Sequence, residues 1–352
     1  MEEKVLMKGN EALGESAIIA GCRHYFAYPI TPQNEIPQYM SARLPEVGGT
    51  FLQAESEVAA INMVFGAAAA GARAMTSSSS PGISLKQEGI SYLSGAELPA
   101  VVVNMMRGGP GLGNIAGSQA DYFQAVKGGG HGDYRLITLA PGTVQELADL
   151  TVTAFDLADQ YRMVTMILGD GFLGQMSEGL VLPKPSGKVF DKSSWAVTGM
   201  RGRKEHHIVY SLRLSPENAL EEVNFRLQKK YREVESKETR YEAYRCEDAE
   251  FVLTGFGTSS RLCRAAVNTL RKEGVKAGLF RPITLWPFPY DALDQACRKA
   301  KRVLVVEMNA GQMIEDVKLA LGRDRGIDFY GKMGGIVPVV DEILERVKNY
   351  VR

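Results

Sequence analysis

The chain has 352 residues, 41 basic and 41 acidic side chains, 45% hydrophobic residues, 37 glycines and 4 cysteines. Its length suits two domains that fold without disulfides or a structural metal, and a formal net charge of zero gives no overall attraction for a polyanion, which argues against nucleic acid or an anionic membrane as the main partner. Cys22, Cys246, Cys263 and Cys297 form no C-x-x-C and offer neither zinc nor iron-sulfur ligand spacing, so four buried, reduced thiols are expected.

The acidic start, Met1-Glu2-Glu3-Lys4, lacks the basic and apolar regions of a signal peptide. From there to residue 185, apolar runs at 24–30, 50–53, 74–77, 100–105, 136–140 and 164–169 read as strands alternating with helical patterns, the signature of an α/β fold with a parallel sheet. The longest apolar run, 58–75, is broken by Asn62, Gly66, Gly71 and Arg73 and falls short of a membrane span, so a cytoplasmic protein is expected. Residues 186–247 are rich in Ser, Lys, Arg and Glu with one predicted helix at 216–235, and read as a connecting segment. In 248–352 the rhythm returns, with strands at 251–254, 276–280 and 303–307 and helices at 259–273 and 290–300, giving a second, smaller α/β domain.

Loops at the carboxyl ends of parallel strands build the ligand crevice, so chemistry is sought there. In Tyr28-Pro29-Ile30-Thr31-Pro32, Thr31 and Pro32 read as the N-cap and first residue of a helix, and the Thr31 hydroxyl also faces the crevice; Pro37 implies that this helix starts late or bends. Glu57 opens an Ala-rich helix running to about Gly71, where a carboxylate either stabilises the dipole or is presented, desolvated, at a subunit or domain seam that the small residues Ala59, Ala60, Gly66, Ala67, Ala70 and Gly71 allow to close. Arg107, on a flexible loop after an apolar strand, is either a surface charge or a fork for a substrate carboxylate. Gly111 to Ala116 matches G-x-G-x-x-[GA] formally, but Pro110 and Gly117 interrupt the helix that a dinucleotide fingerprint needs, and no Walker loop or G-x-S-x-G elbow is present. Ser77-Ser78-Ser79-Ser80-Pro81-Gly82 and His131, in the run Gly128 to Asp133, are lesser candidates, and His131 has no second ligand at metal spacing.

Taken together, Lys8-Gly9-Asn10-Glu11-Ala12, Tyr28-Pro29-Ile30-Thr31-Pro32, Glu55-Ser56-Glu57, Ser79-Ser80-Pro81-Gly82, Gln87-Glu88-Gly89, Glu97-Leu98-Pro99, Arg107-Gly108-Gly109-Pro110-Gly111, Ser118-Gln119-Ala120-Asp121-Tyr122, Gly130-His131-Gly132-Asp133 and Arg281-Pro282-Ile283-Thr284-Leu285-Trp286-Pro287 resemble the alpha subunit of the 2-oxoacid:ferredoxin oxidoreductases, branched-chain (2-oxoisovalerate) type. The resemblance implies that residues 1–185 are a pyrimidine-binding thiamine diphosphate domain and 248–352 a transketolase-C-terminal-like domain. Glu57 then matches the glutamate that hydrogen-bonds the aminopyrimidine and switches on the coenzyme, while Thr31 and Arg107 match residues beside the 2-oxoacid carboxylate. It also implies that the diphosphate and Mg2+ sit on a beta subunit, that a ferredoxin-like subunit holds the iron-sulfur clusters, and that a gamma-type subunit completes a heteromeric unit, itself dimeric. Electrons would pass to ferredoxin and the acyl group to coenzyme A.

Three alternatives remain at this level: the same reaction on 2-oxoglutarate or pyruvate, a nicotinamide-dependent oxidoreductase using Gly111 to Ala116, and a noncatalytic scaffold suggested by the charged stretch 201–250.

Overall fold

The structure, a computed structural model, describes residues 3–322 and 325–351. Met1 and Glu2 of the acidic start, and Arg352 at the end of the expected second domain, lie outside the described residues. In chain order the first part runs β1 (Val5–Lys8), α1 (Gly9–Ile19), β2 (His24–Ala27), α2 (Glu35–Glu46), β3 (Thr50–Gln53), α3 (Glu57–Ala69), β4 (Ala74–Ser78), α4 (Ser80–Gly95) and β5 (Ala100–Met106). It continues through α5 (Tyr122–Val126), β6 (Ile137–Leu139), α6 (Val144–Tyr161), β7 (Val164–Asp170), α7 (Gly171–Gln175) and β8 (Ser177–Leu180). After α8 (Ala219–Lys237) come β9 (Tyr241–Tyr244), β10 (Phe251–Thr254), α9 (Gly257–Lys272), β11 (Ala277–Pro282), β12 (Thr284–Trp286), α10 (Tyr290–Ala296), β13 (Arg302–Glu307), α11 (Met313–Leu321), β14 (Ile327–Gly331) and α12 (Val340–Val351).

Two parallel-rich sheets carry the fold. The larger has seven strands in the order β12-β6-β7-β5-β4-β2-β3, parallel except for β12. Every residue of β5 and of β7 is buried, as expected for central strands with helices on both faces. Valines at 101–103 suit that place because β-branched side chains pack well on a pleated surface. The second sheet, β14-β13-β10-β11-β9, is parallel except for β9. One core spans the large sheet and the near face of the second, through Phe280, Val305 and Met313, while Leu253, Leu270 and Ile343 belong to a separate core on the far face. All four cysteines are buried and unpaired, and burial pushes the Cys22 thiol up to about 12.

The expected α/β pattern is present, with differences that have local causes. The strand expected at 24–30 stops at Ala27, before Tyr28-Pro29, because proline supplies no ladder donor. Thr31 and Pro32 do not cap a helix: their peptide is cis, and α2 begins at Glu35 after Asn34 as N-cap, so Pro37 falls in its first turn and the late start is found. Within the expected connecting segment 186–247, β9 pairs with β11 and extends the second sheet. Conversely β12, from the C-terminal part, pairs with β6 and caps the first sheet. Among the described residues no helix is long and apolar enough to cross a membrane.

Candidate active site

The carboxyl ends of β2, β4 and β5 meet around the first turn of α4. That turn is the serine run noted in the sequence. Ser80 Oγ donates to Asp121 Oδ2 at 2.5 Å and accepts the Arg107 backbone N–H at 3.0 Å, so the helix start is tied to the end of β5. Asn104 on β5 donates to the same Asp121 oxygen at 2.9 Å. Asp121 is buried enough that desolvation raises its carboxyl above the usual range, although both donors oppose the shift.

Thr31 and Arg107, far apart in sequence, are brought together. The Arg107 guanidinium donates through Nη1 to the Thr31 carbonyl at 3.0 Å and through Nη2 to the Leu112 carbonyl at 2.9 Å. Arg107 is therefore no surface charge; it is only 6% exposed, and its buried Nε has no partner among the described residues. Its loop is also braced rather than free. Gly108 N–H donates to Ala116 O and Asn114 N–H to Gly108 O, both at 2.9 Å, and the Asn114 side chain donates to Gly334 O at 2.7 Å. Gly113, at a φ of 59°, has no room for a side chain against the Gly108 carbonyl. Among the described residues no helix opens within these glycines, the next being α5 at Tyr122, so the dinucleotide reading of Gly111 to Ala116 lacks its required geometry. The Thr31 hydroxyl accepts from Asn34 Nδ2 at 3.3 Å and keeps its own proton to give.

Glu57 opens α3, behind the N-cap Ser56, whose hydroxyl accepts the Ala59 N–H at 3.1 Å. Its side chain lies across α4, where a Cβ at Gly82 would stand 2.6 Å from Glu57 Oε1. Glu57 is 6% exposed, yet among the described residues no donor hydrogen-bonds its carboxylate. The residue is thus mostly buried while its carboxylate keeps its acceptor capacity for an incoming donor. Beside it the hydroxyls of Ser78 and Ser79 are buried and unpartnered as well. Of the small residues expected to face a seam, Gly66 and Ala70 are exposed along one line with Val58 and Asn62, whereas Ala60 is buried and Ala59 and Ala67 are half-buried.

A cleft of about 680 Å³ runs from Ser80, Asp121 and the 109–111 loop to Met308, Asn309 and Met333 of the C-terminal part. Gln119 fixes this junction. Its side chain donates to Phe256 O at 2.7 Å and accepts from Ser259 Oγ at 2.7 Å and Met308 N at 3.0 Å, and its backbone carbonyl accepts from Asn309 Nδ2 at 2.8 Å. His131 lies apart from these residues, exposed, with its ring edge-on to Tyr92 and its carbonyl accepting from Ser91 Oγ at 2.6 Å. Asn104 and Asp121 were not singled out as site residues by the sequence, because their role depends on how β5 and the 118–122 turn meet in space.

Residues 15–243 match a family model described as pyruvate flavodoxin/ferredoxin oxidoreductase, thiamine diphosphate-binding, and residues 249–343 match pyruvate:ferredoxin oxidoreductase core domain II. The chain is 53% identical over 344 residues to ketoisovalerate oxidoreductase subunit VorB of Methanothermobacter marburgensis, covering 98% of this chain and 97% of that protein. It is 39% identical over 336 residues to 2-oxoglutarate synthase subunit KorA of Archaeoglobus fulgidus, covering 94% and 96%. A solved structure of 2-oxoglutarate:ferredoxin oxidoreductase from Magnetococcus marinus, with 2-oxoglutarate, coenzyme A and succinyl-CoA bound, superposes with a TM-score of 0.89 at 29% identity, covering all of this chain and 66% of that longer one. The architecture, the matched segments and these identities lead to one conclusion: the chain belongs to the thiamine-diphosphate-binding pyruvate flavodoxin/ferredoxin oxidoreductase family.

Proposed function

We propose that this chain is the alpha subunit of a 2-oxoacid:ferredoxin oxidoreductase, converting a 2-oxoacid, coenzyme A and two oxidised ferredoxins into acyl-CoA, CO2, a proton and two reduced ferredoxins. The observation that carries the reading is the donorless, buried carboxylate of Glu57 across Gly82. When bound, thiamine diphosphate supplies a nucleophilic carbon and a sink for the electron pair released with CO2. The donor set fits that coenzyme's pyrimidine: Glu57 offers an acceptor to a ring nitrogen and holds the proton exchanged there, as general acid–base work requires.

Thr31 and Arg107 would orient the substrate carboxylate. The two carbonyls that hold the guanidinium fix its plane, and its three remaining N–H groups and the Thr31 hydroxyl are the donors left for an anion. Residues 1–185 would form the pyrimidine-binding unit and 248–352 the second domain, joined by 186–247. The diphosphate and its Mg2+ would lie on a beta subunit, the iron-sulfur clusters on a ferredoxin-like subunit, and a gamma-type subunit would complete a heteromer that dimerises. This division agrees with relatives that are named as subunits. The preferred substrate is 2-oxoisovalerate, supported by 53% identity to the ketoisovalerate enzyme's subunit against 39% to a 2-oxoglutarate synthase subunit.

The test is Glu57→Gln in the reconstituted complex, assayed by 2-oxoacid-dependent reduction of a viologen dye. Turnover with 2-oxoisovalerate should fall by roughly a hundredfold or more, while thiamine diphosphate remains bound. Near-normal turnover would overturn the role of Glu57, and a wild-type preference for 2-oxoglutarate would overturn the substrate.

A further inference from the structure

Lys86, on α4, is fully buried, and its ammonium donates to Thr76 Oγ1 on β4 at 2.7 Å. Burying an ammonium is costly unless an opposite charge offsets it. Lys86 lies four residues after Gly82, on the same face of α4, and helical side chains lean toward the N-terminus, here toward the glycine crossed by Glu57. One turn further, Gly89 receives Ile61 of α3, with Ile61 Cγ1 2.7 Å from where a Cβ would stand. Glu57 and Ile61 are themselves a turn apart on α3, so the two glycine contacts bracket Lys86 at the α3–α4 crossing.

Around α3 and α4 the other titratable groups are His24 and Tyr25 on β2, Arg107 after β5, Asp170 at the end of β7, Asp121 against Ser80, Tyr134 against Gln87 and His131 against Tyr92, with Glu88 and Tyr92 on α4 itself. Of these and Glu57, it is the Glu57 charge that acts on the ammonium. Building on the assignment of Glu57 to the pyrimidine, we propose that Lys86 is a positioning residue, the internal counter-ion that holds the Glu57 carboxylate turned across Gly82 until a ligand donor reaches it. Burial pulls the Lys86 pKa down to about 7, with Glu57 opposing the fall. Lys86 therefore titrates near neutrality.

The sign of the stability effect follows from linkage. The folded chain releases the Lys86 proton near pH 7, whereas the unfolded chain keeps it to about pH 10.4. Between those values the unfolded state binds more protons, so stability rises with pH.

The experiment uses the full chain and the assembled complex, with K86M, K86Q, E57Q and K86M/E57Q. In the chain, the melting temperature should climb by several degrees from about pH 7 to about pH 10, the climb should vanish in K86M and K86Q, and the effects of K86M and E57Q should be non-additive. In the complex, K86M and K86Q should lower kcat several-fold while leaving KM for the 2-oxoacid nearly unchanged, since the carboxylate loses its orientation while the substrate keeps its site. Strictly additive melts, a climb that persists without the lysine, or an unchanged kcat would each overturn the proposal. The melts do not depend on turnover, so they separate failure of the Lys86–Glu57 pairing from failure of the catalytic assignment. K86Q keeps a polar partner for Thr76 and provides the test if K86M does not fold.

Discussion

A buried carboxylate normally recruits donors, and Glu57 has none among the described residues, while Arg107 nearby spends two nitrogens on backbone carbonyls and leaves the third unpaired. These unmatched groups are what a ligand would complete. Lysine cannot replace Arg107, because an ammonium is a point donor without the planar fork that spans the Thr31 and Leu112 carbonyls and faces a carboxylate at the same time. R107K should raise KM for the 2-oxoacid about tenfold or more, equivalent to roughly 1.4 kcal/mol of lost binding; a steady-state titration showing an unchanged KM would contradict the assigned role. Glu57, Thr31 and Arg107 were legible in the sequence because each follows a strand, where a parallel sheet gathers its loops. Lys86 and Asp121 were not, since a charged residue inside a helix or a turn reads as solvated until the packing shows it buried.

The decisive element is α4, whose glycines let α3 come close: Gly82 under Glu57 and Gly89 under Ile61. A methyl at Gly89 meets the branched Ile61 side chain with little room to shift. G89A should therefore cost about 1–3 kcal/mol by overpacking, measured by urea denaturation, and I61A, which removes both Cγ atoms, should cost less in the G89A chain than on its own. An unchanged midpoint would show that the crossing is looser than described. Helix and strand periodicity located most of these elements, because residues such as Val101 to Val103 and Leu253 declare a buried strand by composition alone. It missed β1, β8, β9, β12 and β14, which are sheet edges or additions from distant chain whose pairing is set by tertiary contacts rather than local propensity. The Thr31-Pro32 pair misled for a related reason: the residue types suit a helix start, but the chain uses them in a crevice loop that holds Arg107.

At the scale of the molecule the two sheets exchange strands, β12 completing the first sheet and β9 the second, and Gln119 ties β13's end to the first domain. The junction places the 333–334 loop against the 109–111 loop that follows Arg107, across the cleft lined by Ser80 and Asp121. The most direct measurement is a structure of the assembled complex with thiamine diphosphate bound, read at the Glu57 carboxylate. The account predicts an oxygen of Glu57 about 2.6–3.0 Å from a ring nitrogen of the aminopyrimidine. A pyrimidine bound elsewhere, with Glu57 still lacking a donor or turned to water, would contradict it.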